Sequence, residues 1–156
     1  MDENVKELYG WAEISPNDAV VAGSSGTWQI TYHAGFYGID DGGVLKISWR
    51  FASDWVAPQF SDPNAPHYAM VTTTGPATLT PVFERRRYVR PFMQSVTMQV
   101  SDDSLREGDT VTVTLGAGDG GSRVQTFCED EFVFQVAVDW CGTGLFEEVP
   151  SPSLSL

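Results

Sequence analysis

Leu105-Arg-Glu-Gly-Asp-Thr-Val-Thr-Val-Thr-Leu-Gly116 is the stretch that decides the fold. From Thr110 to Leu115 the residues alternate, with Val111, Val113 and Leu115 on one side and threonines on the other. β-Branched residues at period two suit a pleated surface packed on one face, because their stiff side chains fit between cross-strand neighbours. Glu107-Gly108-Asp109 supplies the turn that begins the strand. The same pattern returns at Phe132–Asp139, where Phe132, Phe134, Val136 and Val138 share a side. Each strand carries backbone donors and acceptors along its edges, so both require neighbours.

Other segments offer themselves as those neighbours. Thr27–Ala34 puts Trp28, Ile30 and Tyr32 on one face. Val44–Phe51 places Leu45, Ile47, Trp49 and Phe51 inward, with Lys46, Ser48 and Arg50 outward. In Ser95–Val100 the inward positions are Val96, Met98 and Val100. His67–Thr73, Thr78–Phe83 and the shorter Ala19–Ala22 and Arg123–Phe127 are further strand candidates. No segment has the pattern of a long crossover helix, which excludes a parallel α/β sheet. The expected fold is all-β: an antiparallel two-sheet β-sandwich of about seven to nine strands, immunoglobulin-like or jelly-roll-like. Its domain spans 10–148, after an irregular lead-in or short helical turn at 1–9. The Pro-Ser-Pro tail at 149–156 is expected to fray, or to be a shortened linker.

With 156 residues and 42% apolar content, the chain has the size and the side chains for one substantial core. Nine basic residues stand against 21 acidic ones, for a formal charge of −12. Such a surface repels nucleic-acid phosphates and anionic membranes, so neither is an expected partner. The first residues, Met-Asp-Glu-Asn-Val-Lys-Glu, lack the basic and apolar regions of a secretory signal, and no apolar run reaches membrane-spanning length. A cytoplasmic location is expected, with Cys128 and Cys141 reduced.

Two connections are unusual. Gly35–Gly43 mixes four glycines with Phe36, Tyr37 and Ile39, as a structured loop folded over a sheet end would. Ala52–Pro66 holds three prolines and is expected to be a covering or functional loop anchored by Trp55, Val56 and Phe60. Phe36, Tyr37, Asp54, Trp55, Phe60 and His67 are therefore the candidate ligand or interface residues of these loops.

Catalytic patterns are missing. His33 and His67 stand apart, without His-x-His or His-Glu-x-x-His spacing. There is no Gly-x-Ser-x-Gly elbow, and Cys128 is followed by acids, an unsuitable setting for a nucleophilic thiolate. Asp40-Asp41-Gly42-Gly43 and Asp119-Gly120-Gly121 lack the remaining ligands of a calcium loop. No catalytic residue, metal or cofactor is expected. One charged feature stands out: Glu84-Arg85-Arg86-Arg87-Tyr88-Val89-Arg90-Pro91-Phe92 holds four of the nine basic residues. Guanidinium groups pair with carboxylates and pack flat on rings, so Arg85, Arg86, Arg87, Tyr88 and Arg90 form a candidate interface for an acidic surface. The alternatives are pairing with this chain's own acids, or capture of a small anion.

Gly10-Trp-Ala-Glu-Ile-Ser-Pro16, Gly26-Thr-Trp-Gln-Ile-Thr-Tyr32 and Gly38-Ile-Asp-Asp-Gly-Gly43 resemble the amino-terminal portion of the DUF3604 family. Ser53-Asp54-Trp55 with Pro58-Gln59, Arg90-Pro91, Glu107-Gly-Asp-Thr110 and Gln125-Thr-Phe127 extend the likeness, which runs from about residue 10 to 147. The resemblance implies a β-rich domain that precedes a metal-dependent, phosphoesterase-like domain of the PHP type. The histidine and aspartate ligands of that second domain are not in this sequence, so no catalytic residue is carried over. What the resemblance does imply is an interdomain or subunit role for the arginine cluster. The expected function is a non-catalytic accessory or assembly module, positioning another copy of the chain or a separate catalytic domain. A small-ligand or carbohydrate module using the loop aromatics is the alternative, and a metal-dependent hydrolase the distant one.

Overall fold

A computed structural model describes residues 3–156. The chain opens with a short helix, α1 (Glu3–Tyr9), that runs directly into β1 (Gly10–Ser15). There follow β2 (Ser25–Gly26), β3 (Trp28–Ala34), β4 (Val44–Arg50), β5 (Ala69–Thr73), β6 (Thr78–Glu84) and β7 (Phe92–Ser101). The remaining strands are β8 (Thr110–Leu115), β9 (Ser122–Arg123), β10 (Phe132–Val133), β11 (Gln135–Asp139), β12 (Glu147–Glu148) and β13 (Ser153–Leu154). The fold is all-β, built from several antiparallel sheets. One sheet has the order β1-β3-β8-β5, another β12-β11-β4-β7-β6, and two ribbons pair β2 with β9 and β10 with β13.

The threonine–valine strand β8 lies between β3 and β5, with Val113 opposite both Ile30 and Val71. Val111, Val113 and Leu115 are buried, and each contributes roughly 1.5–3 kcal/mol by leaving water. They join Trp28, Ile30 and Tyr32 from β3 and Leu45, Ile47, Trp49, Val96, Met98 and Val100 from the five-stranded sheet in one core cluster. Both large sheets therefore feed the same interior. The chain passes repeatedly between them, from β3 to β4, back to β5, and across again to β6. Thr78–Glu84 thus pairs with β7 in the five-stranded sheet and not with the strand that precedes it.

Of the two forms open to the lead-in, the helical one is taken, over Glu3–Tyr9, and the loop at 35–43 accepts its end: Phe36 N–H donates to Glu7 O and Tyr37 N–H to Leu8 O. These bonds use carbonyls that a helix C-terminus leaves without internal partners. Ala19–Ala22 forms no strand, and Arg123–Phe127 is reduced to the two-residue β9. Phe132–Asp139 is not one strand, because it changes partners at Phe134, whose N–H donates to Pro152 O at 3.0 Å. Phe51 does not face the core. The β4–β7 register shifts between Trp49 and Arg50, the alternation breaks there, and Phe51 emerges 48% exposed.

The largest correction concerns the tail. Residues 149–156 do not fray: β13 pairs with β10, and Val149, Leu154 and Leu156 are buried in the core cluster. Leu156 and Glu129 exchange backbone hydrogen bonds of 2.8 and 3.0 Å, and Ala12 N–H donates to Pro150 O. Three apolar side chains in a Pro/Ser context carry little periodic signal, yet they bury as much as a regular strand. Leu154→Asp should therefore lower stability by about 2–4 kcal/mol, through lost packing and a buried carboxylate. Urea denaturation measures it, and an unchanged midpoint would mean that the tail is only loosely attached.

Candidate functional site

The arginine cluster follows the C-terminal end of β6 and occupies the connection to β7. Phe51, Arg85, Arg86, Arg90, Met93 and Gln94 line a groove of about 440 Å³. Two of its three guanidiniums rest on rings, and one of those two also meets an amide. The Arg90 guanidinium lies 5.1 Å from the centre of the Phe51 ring, and that of Arg85 lies 5.7 Å from Phe83. Such packing satisfies the flat faces of a guanidinium and leaves its N–H edges free to bind. Gln94 is buried, and its amide nitrogen donates to Arg50 O and Ser53 O, each at 2.9 Å. Its Oε1 accepts from Arg85 Nη1 at 3.5 Å, the long limit for such a bond.

Pairing within the chain accounts for one member of the cluster. Arg87 reaches Glu84 at 3.2 Å, and this hydrogen bond holds the guanidinium pKa above its ordinary value. Among the described residues, Arg85, Arg86 and Arg90 form no ion pair. Beside the groove, Arg50 binds Glu129 at 2.9 Å.

A second cation secures the loop. Lys46, expected to point outward, is only 7% exposed, and its Nζ lies 4.2 Å from the ring centres of both Tyr88 and Phe146. Burial pushes the lysine pKa down, while the two ring faces favour the charged form. Tyr88 has a left-handed backbone, φ 73°, which a non-glycine residue adopts only where surroundings hold it. The ammonium and Phe146 supply that hold. They join the arginine loop to the 142–146 turn, which Asp139 organises by accepting from the N–H groups of Gly142, Thr143 and Gly144.

The loop candidates do not form a common groove. Trp55 is 2% exposed, as an anchor of its loop should be, and is not the exposed ligand or interface ring it was also expected to be. Its indole packs against Trp28, Phe132 and Phe134 and donates from Nε1 to Ser122 Oγ at 2.8 Å. Asp54, beside it, accepts from the Thr126 hydroxyl at 2.6 Å and from the Thr126 N–H at 2.8 Å. Phe60 is partly buried against the core. His67 has φ 65°, and its buried Nδ1 has no hydrogen-bond partner in the protein.

Phe36 and Tyr37 lie at the other end of β4, which spans roughly 20 Å. Phe36 is 65% exposed, and Tyr37 stacks on Trp140 with ring centres 4.9 Å apart. The two histidines are also apart. His33 stacks on Trp11 and bonds Glu13 at 3.0 Å beside the start of β8, whereas His67 precedes Ala69, which is paired with the end of β8. Among the described residues, no group of three His, Cys, Asp or Glu side chains is arranged to hold a metal. Cys128 and Cys141 are exposed free thiols. No described helix is long and apolar enough to cross a membrane.

Phe51, Lys46, Gln94 and Phe146 belong to this site although the sequence did not mark them. The bulge before Arg50 releases Phe51, and a strand covered on both faces buries Lys46; neither has a local pattern. The chain matches no known protein-family model, and no characterised protein matches it.

Two measurements follow from this geometry. Trp55→Ala should cost about 3–5 kcal/mol in chemical denaturation, as for a large buried ring; a loss within about 0.5 kcal/mol would place the indole outside the core. The Thr126 hydroxyl and N–H hold the Asp54 carboxyl below its ordinary range. Their contribution is full above the ordinary carboxylate pKa and disappears as pH falls through the folded value. Asp54→Ala should therefore flatten the loss of thermal stability between about pH 5 and pH 2. Parallel acid limbs for variant and parent would contradict it.

Proposed function

We propose that this chain is a non-catalytic accessory or assembly module, a two-sheet β-sandwich whose arginine groove holds an acidic protein partner. The immunoglobulin-like or jelly-roll-like form belongs to the same proposal, supported by two large antiparallel sheets that share one core. One observation carries the functional reading: among the described residues three guanidiniums form no ion pair, in a chain of net charge −12. With 21 acids in the same molecule, three unpaired arginines, two of them held on rings, suit an outside carboxylate.

The neighbouring surface has the composition of an interface. Phe51 is 48% exposed and Val89 80%, so apolar area adjoins the cations. Edge pairing is a poorer route, because Pro81 interrupts the outer strand β6 and has no N–H to offer an added strand. Recognition then rests on side chains. The proposed partner is another subunit, or a catalytic domain of the kind that the DUF3604 resemblance would imply. The carbohydrate reading is weakened by the burial of Trp55, which removes its central ring from the surface.

A fluorescent oligoglutamate peptide serves as the acidic probe in an anisotropy titration at low salt. Arg86→Ser with Arg90→Ser should weaken binding about tenfold or more, ~1.4 kcal/mol, with unchanged circular dichroism. Equal affinity in the variant would remove the groove from the proposal.

A further inference from the structure

We infer that the acidic partner is a second copy of this chain, docked head to tail, so that the groove of one molecule receives the opposite end of the next. The inference rests on the docking reading above and adds the identity of the occupant. Its basis is a separation of charge along β4. Arg50 ends that strand beside Phe51 and the arginine groove, while Val44 begins it directly after the Gly35–Gly43 loop.

At the Val44 end the connections converge. Ile39 bridges Leu105, Gly42 N–H donates to Val100 O, and Asp40 N–H donates to Trp140 O. These contacts bring exposed Asp40, Asp41, Asp102 and Glu107 to one end of the molecule, with Glu7 on α1 nearby. Phe36 stands among them, and Glu7, Leu8, Phe36 and Glu107 border a shallow depression of about 520 Å³. Lys6 over Trp11 and Arg106, paired with Asp103 at 3.5 Å, are the basic groups there. One end thus offers carboxylates around an exposed aromatic ring, and the other offers unpaired guanidiniums around Phe51 and Val89.

The two ends are complementary to each other and not to themselves. Two grooves facing across a twofold axis would set arginine against arginine. Contact of unlike ends is heterologous, and it propagates unless the rotation closes a ring. The net charge of −12 opposes association, but screening within about 8 Å at physiological salt leaves the contacting ends to dominate.

The experiment uses the whole chain in sedimentation velocity from about 10 µM to about 1 mM, the range of weak self-association. Three samples are compared: the parent, Arg86→Ser/Arg90→Ser, and Asp40→Asn/Asp41→Asn. All four substituted residues are exposed, and circular dichroism checks that both variants fold. The parent should form species larger than a dimer as concentration rises, and each variant alone should remain monomeric. Mixed one to one, the variants should form a heterodimer and nothing larger, since each retains one working end.

A monomeric parent throughout overturns the inference. So does self-association of the Asp40→Asn/Asp41→Asn variant, which would mark a contact that does not use the acidic end. A mixture that stays monomeric overturns it as well. Oligoglutamate binding by a monomeric parent would leave the docking groove standing with a different partner, whereas loss of both signals would remove the groove and the occupant together.

Discussion

The burial of one indole, Trp55, is the constraint on which the core and the groove both depend. It lies against Trp28 of the four-stranded sheet, against Phe132 of the β10–β13 ribbon and against Phe134, which leads into β11 of the five-stranded sheet. A ring of this size between two sheets fixes the loop that carries it. The backbone N–H of Trp55 donates to Ser53 Oγ at 3.1 Å, and Ser53 O accepts from the Gln94 amide. Gln94 in turn contacts Arg85. A continuous path of packing and hydrogen bonds therefore runs from the aromatic core to the guanidinium groups of the groove.

That path explains how a cluster of long, flexible side chains can be organised. An exposed arginine loses considerable rotamer freedom when it binds, and this cost reduces affinity. Here the Phe83 and Phe51 rings support Arg85 and Arg90, and the Lys46–Tyr88–Phe146 contact restrains the loop between them. Part of the ordering cost is met in folding, before any partner arrives. Preorganisation of cations without internal carboxylates is a property of binding surfaces more than of solubilising ones.

The sequence revealed the strands whose alternation is long and uninterrupted. β8, β3 and the Val96–Val100 part of β7 follow the period-two rule because each packs one face inward. It misled wherever tertiary structure overrode that rule. Trp55 was legible as an anchor of its proline-rich loop, but with no periodicity nothing local showed that it fills the core and leaves no ring at the surface. Phe51 obeys the alternation of β4 until a register shift reverses its side, and a shift of pairing leaves no mark in composition. The tail residues Leu154 and Leu156 are covered because β10 supplies an edge for β13, a fact about distant chain segments. The arginine cluster was visible as composition. Its support by Phe51, Gln94 and Phe146 was not, because those residues come from three other stretches of the chain.

If the proposal holds, this molecule meets carboxylates at the groove of Phe51, Arg85, Arg86 and Arg90. Amide chemical-shift mapping by nuclear magnetic resonance during addition of an acidic peptide reads this out residue by residue. Perturbations should concentrate at Phe51, at residues 85–90 and at Gln94, and fade as salt is raised. Perturbations centred on Phe36 and Tyr37, or spread evenly over the surface, would contradict it.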